Sequence, residues 1–232
     1  MSIHRFVRFP RLFGSVSTLV LAAAVVNGVF RIPTSVATRA VSDPVIDIPI
    51  AKAKGEQTVV LAGGCFWGME AIFEHLKGVS NVVSGFSGGN AETANYDAVG
   101  SGQTGHAESI KITYDPSQIS YGQLLKVYFA VAHDPTQLNR QGLDAGPQYR
   151  SVIFFANVHQ RRVAQAYIAQ LNTAQTFSKP IVTQLLPLHN FYAAEEYHQN
   201  FIDRNPQDPY VVVHDLPKLR QFQKQFPDWY RN

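Results

Sequence analysis

Thr58-Val59-Val60-Leu61-Ala62-Gly63-Gly64-Cys65-Phe66-Trp67-Gly68-Met69-Glu70 is the stretch from which the fold can be read. A short β-branched, apolar run that stops on two glycines suits a buried strand entering a tight turn. From Cys65 to Lys77 the apolar residues Phe66, Met69, Ile72, Phe73 and Leu76 recur at steps of three and four, with Glu70, Glu74 and Lys77 opposite and Gly78 as a stop. That period predicts a helix beginning directly after the turn. Further along, Val79 to Phe86 reads as a second strand, and Ile110, Ile112 and Tyr114, alternating with Lys111 and Thr113, as a third. Ser120 is a suitable N-cap for a helix reaching Ala132, and Ser151 to Ala156 forms a fourth strand. Strand, helix, strand, strand, helix, strand is the order of a ferredoxin-like split βαβ plait, an α+β fold with additional helices and loops. A helix near His159 to Leu171, a strand near Val182 to Leu186 and a helical segment from Ala193 to Arg204 decorate it. Of two polar stretches, Ser87 to Gly105 and His133 to Arg150, the first is unusually long for a plain connection, and we read it as active-site wall.

Upstream of this domain the composition changes. Arg5, Arg8 and Arg11 lead into an uncharged run from Leu12 to Phe30, the layout of a secretory signal, with cleavage expected just after Ala37. The Ala22 to Ala24 run is a competing cleavage site, and an uncleaved membrane anchor is the alternative for residues 1–37. Residues 38–57 read as a linker, and 58–232 as one domain without internal repeats. The leader holds four arginines and no acid, so the formal net charge of +3 largely resides there and the rest of the chain is close to neutral. With no basic stripe interleaved with aromatics, nucleic acid is not an expected partner.

Cys65 is the only cysteine. That rules out an intramolecular disulfide and any multi-cysteine zinc site, and in an exported chain a free thiol needs a reason. Its position at the first turn of a helix, where unpaired backbone N–H groups favour negative charge, predicts a lowered thiol pKa and a nucleophile. Phe66 and Trp67 point about 100° apart, so one or both can line an apolar recess beside the sulfur. His106 and Glu108, two apart at the mouth of the third strand, share a face of it. Gly100-Ser101-Gly102-Gln103-Thr104-Gly105 has dinucleotide-fingerprint spacing, but an alternating strand follows it where a helix is required. Glu195 and His198 form a single Glu-x-x-His, too little for a di-iron site, and read as a solvated helix face. We expect no metal and no bound cofactor.

With those residues in place, the chain resembles the class A peptide methionine sulfoxide reductases. Gly64-Cys65-Phe66-Trp67-Gly68-Met69-Glu70 is similar to the family signature. Gly85-Phe86-Ser87-Gly88-Gly89, Thr104-Gly105-His106-Ala107-Glu108, His133-Asp134-Pro135 and Gln148-Tyr149-Arg150-Ser151 follow in family order, and the likeness runs from about Val59 to about Leu216. The resemblance implies Cys65 as nucleophile, Phe66 and Trp67 as the pocket for the substrate methyl group, Glu108 as the acid and Tyr96 and Tyr149 as phenols bonding the sulfoxide oxygen. Asp144 matches a polar residue that orients the site. It also implies a plait fold and reduction of methionine S-sulfoxide, free or in proteins, by way of a cysteine sulfenic acid. Many members carry further cysteines near the C-terminus, absent here from Phe201 to Asn232, so an external thiol, thioredoxin-like or of low molecular weight, must regenerate the enzyme. Phe86 stands where a tyrosine is usual. We expect a monomer. The competing readings are a cysteine hydrolase with Cys65 activated by His106 or His133, and a module that captures oxidised methionine without turnover.

Overall fold

A computed structural model of the protein describes residues 40–231. The leader expected at 1–37 lies outside them, and no helix among the described residues is long and apolar enough to cross a membrane. Four strands form the centre: β1 (Gln57–Ala62), β2 (Val79–Ser87), β3 (Ala107–Tyr114) and, after the short hairpin β4 (Arg140–Gln141) and β5 (Asp144–Ala145), β6 (Val152–Phe155). They lie in the order β6-β1-β3-β2 with every neighbouring pair antiparallel. Together with α1 (Phe66–Glu74) between β1 and β2, and α3 (Tyr121–Val127) between β3 and β6, this is the expected split βαβ plait. Two edge strands extend it: β7 (Gln184–Pro187) joins β6 in parallel, and β8 (Tyr192–Ala193) joins β2.

Period-two alternation decides what faces where. Val59 and Leu61 of β1 and Ile110, Ile112 and Tyr114 of β3 enter the main core beneath the helices. Val60, Ala62, Ala107, Val152 and Phe154 form a smaller cluster on the opposite face. Glu108 has the parity of Ile110 and Ile112, so it points to the helix side and continues that row to the strand end where α1 begins.

The long polar stretches are not bare loops. The first contains a 3₁₀ turn at Ala91–Thr93 and helix α2 (Tyr96–Gly100), whose N-cap Asn95 accepts from the Ala98 N–H at 3.0 Å. The second contains the β4–β5 hairpin and a 3₁₀ turn at Pro147–Tyr149. Ser120 and Gln123 make a full capping box for α3, which runs into a π-helical turn at Tyr128–Ala132. Helix α4 (Val158–Thr173) is capped by Asn157. Residues in the stretch read as linker pack onto the domain: Val41 is buried, Val45 N–H donates to Gln170, and Asp47 accepts from Gly122 N–H at 2.7 Å.

The segment from Ala193 to Arg204 is not one helix. It comprises a 3₁₀ turn at Glu196–His198 and the single turn α5 (Phe201–Arg204), separated by Asn200 at φ 52°. Gln199 explains the break, because its side chain bonds both the Ser84 N–H and the Ser84 carbonyl and so holds the segment against β2. Beyond it, unread from the sequence, a π-helical turn at Val211–Asp215 leads into α6 (Leu216–Gln225), which packs on α1.

Candidate active site

Cys65 occupies the N-cap of α1, at the end of β1, and is 8% exposed. The turn that puts it there requires Gly64, whose φ of 98° is in the left-handed region; a Cβ there would stand 2.6 Å from Gln141 Cγ. Gln141 therefore lies directly over the turn, and it exchanges hydrogen bonds with the Asp134 backbone at both its oxygen and its nitrogen. The second polar stretch is thereby fastened over the turn that leads into Cys65. Gly68, inside the first turn of α1, likewise makes room for a neighbour. Its missing Cβ leaves space for the buried carboxylate of Asp215, whose Oδ1 would lie 2.3 Å from such an atom.

Glu108 is 3% exposed, and its Oε2 accepts the Phe66 N–H at 3.1 Å. The carboxyl thus answers one of the unpaired N–H groups at the start of α1, immediately beside the sulfur. Burial pushes its pKa up to about 8, the Asp144 charge adds to the rise, and the Phe66 N–H holds it back. Near neutral pH Glu108 is therefore mostly a protonated acid.

The expectation for the thiol is reversed. Burial raises the Cys65 pKa well above its ordinary value, the charges of Glu108 and Asp215 raise it further, and the Trp67 N–H and Lys218 oppose them. Placement at a helix start is outweighed by loss of water. One of those causes is conditional, since a protonated Glu108 carries no charge to act on the sulfur.

Around this pair the structure gathers the other residues that the sequence put forward. Tyr96 opens α2, its ring stacked toward Phe66 at 6.4 Å, and burial pushes its pKa up to about 12. Tyr149 ends its 3₁₀ turn and is also shifted upward, first by burial and then by the Glu108, Tyr96, Asp144 and Cys65 charges. Both phenols remain protonated donors at neutral pH. Arg150 pins the Tyr149 turn to the start of β3 through the His106, Gly105 and Pro147 carbonyls at 2.8–3.0 Å. Phe66 is fully buried in the core, whereas Trp67 is half-buried and forms the outer wall. Phe86, the residue lacking a hydroxyl, packs on Phe66 at 5.8 Å.

Asp144, at the start of β5, accepts from the Tyr210 hydroxyl at 2.5 Å. Tyr210 is a third phenol of the site that sequence reasoning missed. It stands edge-on to Trp67 at 5.9 Å, and burial, then the Cys65 charge and Asp144, drive its pKa upward. Asp215 was missed too. Neither carries a local pattern, because both come from a tail without clear periodicity. His198 and Glu195, read as a solvated face, are instead packed behind Trp67 and Tyr96.

A hydrolase dyad would need an imidazole free to take the thiol proton. His106 Nδ1 accepts from the Gly89 N–H and its Nε2 faces the Asn90 carbonyl at 2.9 Å. His133 Nδ1 faces the Tyr128 carbonyl at 3.1 Å and its Nε2 Ser151 Oγ at 2.7 Å. Both rings are committed at both nitrogens, so the arrangement does not favour acyl transfer. It offers a thiol, a neutral carboxylic acid and fixed hydroxyl donors around an aromatic recess, which suits a polar oxygen on a soft, weakly electrophilic centre.

Comparison with known proteins agrees with that chemistry. A family profile described as peptide methionine sulfoxide reductase matches residues 57–230. The chain is 55% identical to the peptide methionine sulfoxide reductase MsrA 2 of Synechocystis sp. over 193 residues, covering 82% of this chain and 90% of that protein. Identity to MsrA 2 of Mesorhizobium japonicum is 54%, covering 77% and 91%. Among solved structures, reduced Mxr1 of Saccharomyces cerevisiae superposes with a TM-score of 0.61 at 31% identity, covering 69% of this chain and 94% of that one. Methionine sulfoxide reductase A of Corynebacterium diphtheriae gives 0.57 at 35% identity, covering 68% and 78%.

Proposed function

We propose a mechanism for a chain that belongs to the peptide methionine sulfoxide reductase family and is a peptide-methionine (S)-S-oxide reductase: Cys65 takes the sulfoxide oxygen while Glu108 supplies the proton. The observation that carries this reading is the neutral carboxyl of Glu108, held on the Phe66 N–H beside the thiol. A sulfoxide sulfur becomes a usable electrophile only when its oxygen is protonated or strongly hydrogen-bonded. The substrate methyl group sits against Trp67, backed by the buried ring of Phe66, and its oxygen lies among Glu108, Tyr96 and Tyr149.

The proton count closes with both groups neutral at the start. As Sγ attacks, the Glu108 proton passes to the oxygen and the thiol proton replaces it on the carboxylate. The hydroxyl then passes from the methionine sulfur to Sγ, so that the S–O bond to methionine breaks as the Sγ–O bond forms; methionine leaves reduced, and Cys65 is left as a sulfenic acid, oxidised by two electrons. A raised thiol pKa is compatible with this order, because deprotonation is coupled to attack and no free thiolate has to persist in a dry site. Asp144 holds Tyr210 beside the sulfur, keeping the site closed around the reacting atoms.

With no second cysteine in the chain, an external thiol, thioredoxin-like or of low molecular weight, attacks the sulfenic sulfur and releases water. A second thiol then resolves the mixed disulfide and restores Cys65. The leader at 1–37 would deliver a monomeric enzyme to oxidised exported proteins, and sequencing the mature N-terminus together with light scattering checks both points.

Mass spectrometry of the protein mixed with methionine sulfoxide tests the core of the proposal. Without thiol, Cys65 should gain one oxygen, trappable as a sulfenic acid, with one methionine formed per chain. With dithiothreitol, turnover should continue and the adduct should disappear. Methionine formation without oxidation of Cys65, or capture of the sulfoxide without any methionine, would refute it.

A further inference from the structure

The mechanism makes no use of Glu195 and His198, yet they stand directly behind the aromatic wall. His198 is 2% exposed, and its Nδ1 lies 3.1 Å from Trp67 Nε1. An indole N–H can only donate, so Nδ1 is the acceptor and the neutral ring carries its proton on Nε2. That Nε2 is buried without a hydrogen-bond partner among the described residues. Burial lowers the imidazole pKa, which favours the neutral, accepting form. The same ring lies against Tyr96 at 4.2 Å and Phe66 at 5.2 Å.

Three residues earlier, Glu195 Oε1 accepts the Tyr96 backbone N–H at 3.0 Å, and its Oε2 is buried with no partner among the described residues. Gln199 ties the segment to Ser84, and Phe201 lies flat on Trp67 at 3.6 Å with an interplanar angle of 6°. One short stretch therefore grips Trp67 at its N–H and its face, and Tyr96 at its backbone and its ring. A buried indole N–H without an acceptor is costly, so removing Nδ1 would turn the ring toward another partner and displace the wall beside the thiol.

We propose that Glu195 and His198 are positioning residues that lock Trp67 and Tyr96, and so fix how the methyl group and the oxygen of the sulfoxide are presented to Cys65. Neither touches the reacting atoms. The inference rests on the reading of this recess as the sulfoxide site, and it adds residues that decide its shape.

The test uses the full chain with methionine sulfoxide and dithiothreitol. His198→Leu removes the acceptor and keeps apolar bulk, whereas His198→Asn places Oδ1 where Nδ1 stood. We expect His198→Leu to raise KM about tenfold and lower kcat by less than about threefold, and His198→Asn to return KM to within about threefold of the parent. In a Trp67→Phe background, which has no indole N–H, His198→Leu should change KM by less than about twofold. Tryptophan emission of the unliganded protein should shift in His198→Leu and stay in place in His198→Asn. This arm needs no turnover, so a parent protein that leaves sulfoxide unreduced would sink the proposed reaction while emission still decides the positioning claim.

Equal KM losses in the Leu and Asn variants, full effect of His198→Leu in the Trp67→Phe background, or unshifted emission would each overturn the proposal. Should His198→Leu fail to fold, Glu195→Ala serves in its place. It should raise KM about fivefold through Tyr96, with Glu195→Gln restoring it; no difference between the two would overturn the claim.

Discussion

At the level of single side chains the site depends on a carboxyl group that stays protonated. Glu108 is held up to about 8 by burial, with Asp144 adding to the rise, so its donor form predominates below that pH and disappears above it. Activity should accordingly fall along a limb with an apparent pKa near 8, measured as kcat/KM with a fixed excess of thiol, and Glu108→Gln should lack that limb. Because an amide can still hydrogen-bond the oxygen but has no proton to give it, Glu108→Gln should lose about a hundredfold in kcat/KM, while Glu108→Ala, which loses the hydrogen bond as well, should lose about a thousandfold. Equal losses in the two would remove Glu108 from the donor role. Cys65→Ser should abolish turnover under the same assay. Much of this was visible in the sequence, since Cys65, Glu108 and the aromatic pair sit inside patterned elements. The direction of the thiol shift was not visible. It depends on how much water β1, α1 and the tail exclude together, and on Asp215 arriving from 150 residues away.

At the level of elements, local chemistry was legible where the period was clean. β1, α1, β2 and β3 follow from alternation or three-four spacing, and Ser120 does cap α3. The misreadings fall where tertiary contacts decide. The segment after Ala193 has helix-forming residues, but Gln199 bonding to Ser84 and Asn200 at φ 52° divide it into shorter pieces. The stretch before Gln57 has Pro44 and Pro49 and no period, yet Asp47 takes the Gly122 N–H at 2.7 Å and bonds the Ser120 hydroxyl. A carboxylate from outside the domain read in the sequence therefore completes the N-terminus of α3. Asp47→Ala should reduce unfolding free energy by about 1–2 kcal/mol, as loss of a helix-terminal acceptor does. Urea unfolding measures it, and no change in midpoint would show that residues 40–56 lie on the domain without stabilising it.

Taken over the whole molecule, burial of acids makes stability depend on pH in an unusual direction. Glu70 is pushed up to about 8, first by burial and then by the Glu74 charge; Glu74 rises to about 7 through burial and Asp203, and Glu108 to about 8. Each starts from an ordinary value of 4.5. Between that value and its folded one, each binds more proton in the folded chain than in the unfolded, so stability falls as pH rises through the window. His133 works the other way. Burial lowers it from 6.5 to about 4, so the unfolded chain binds its proton first and stability rises with pH up to about 6.5. Below pH 6.5 the two trends oppose one another, and above it the carboxyls act alone. Thermal unfolding at constant ionic strength should therefore show the midpoint falling from pH 6.5 to 8.5, by roughly 1–3 kcal/mol in unfolding free energy after allowance for the partial exposure of Glu74. Glu70→Gln should flatten that slope without altering the behaviour below pH 5. A midpoint that holds or climbs between pH 6.5 and 8.5 would mean that these acids are ionised in the folded protein. The protonated Glu108 on which the chemistry relies would then be lost with them.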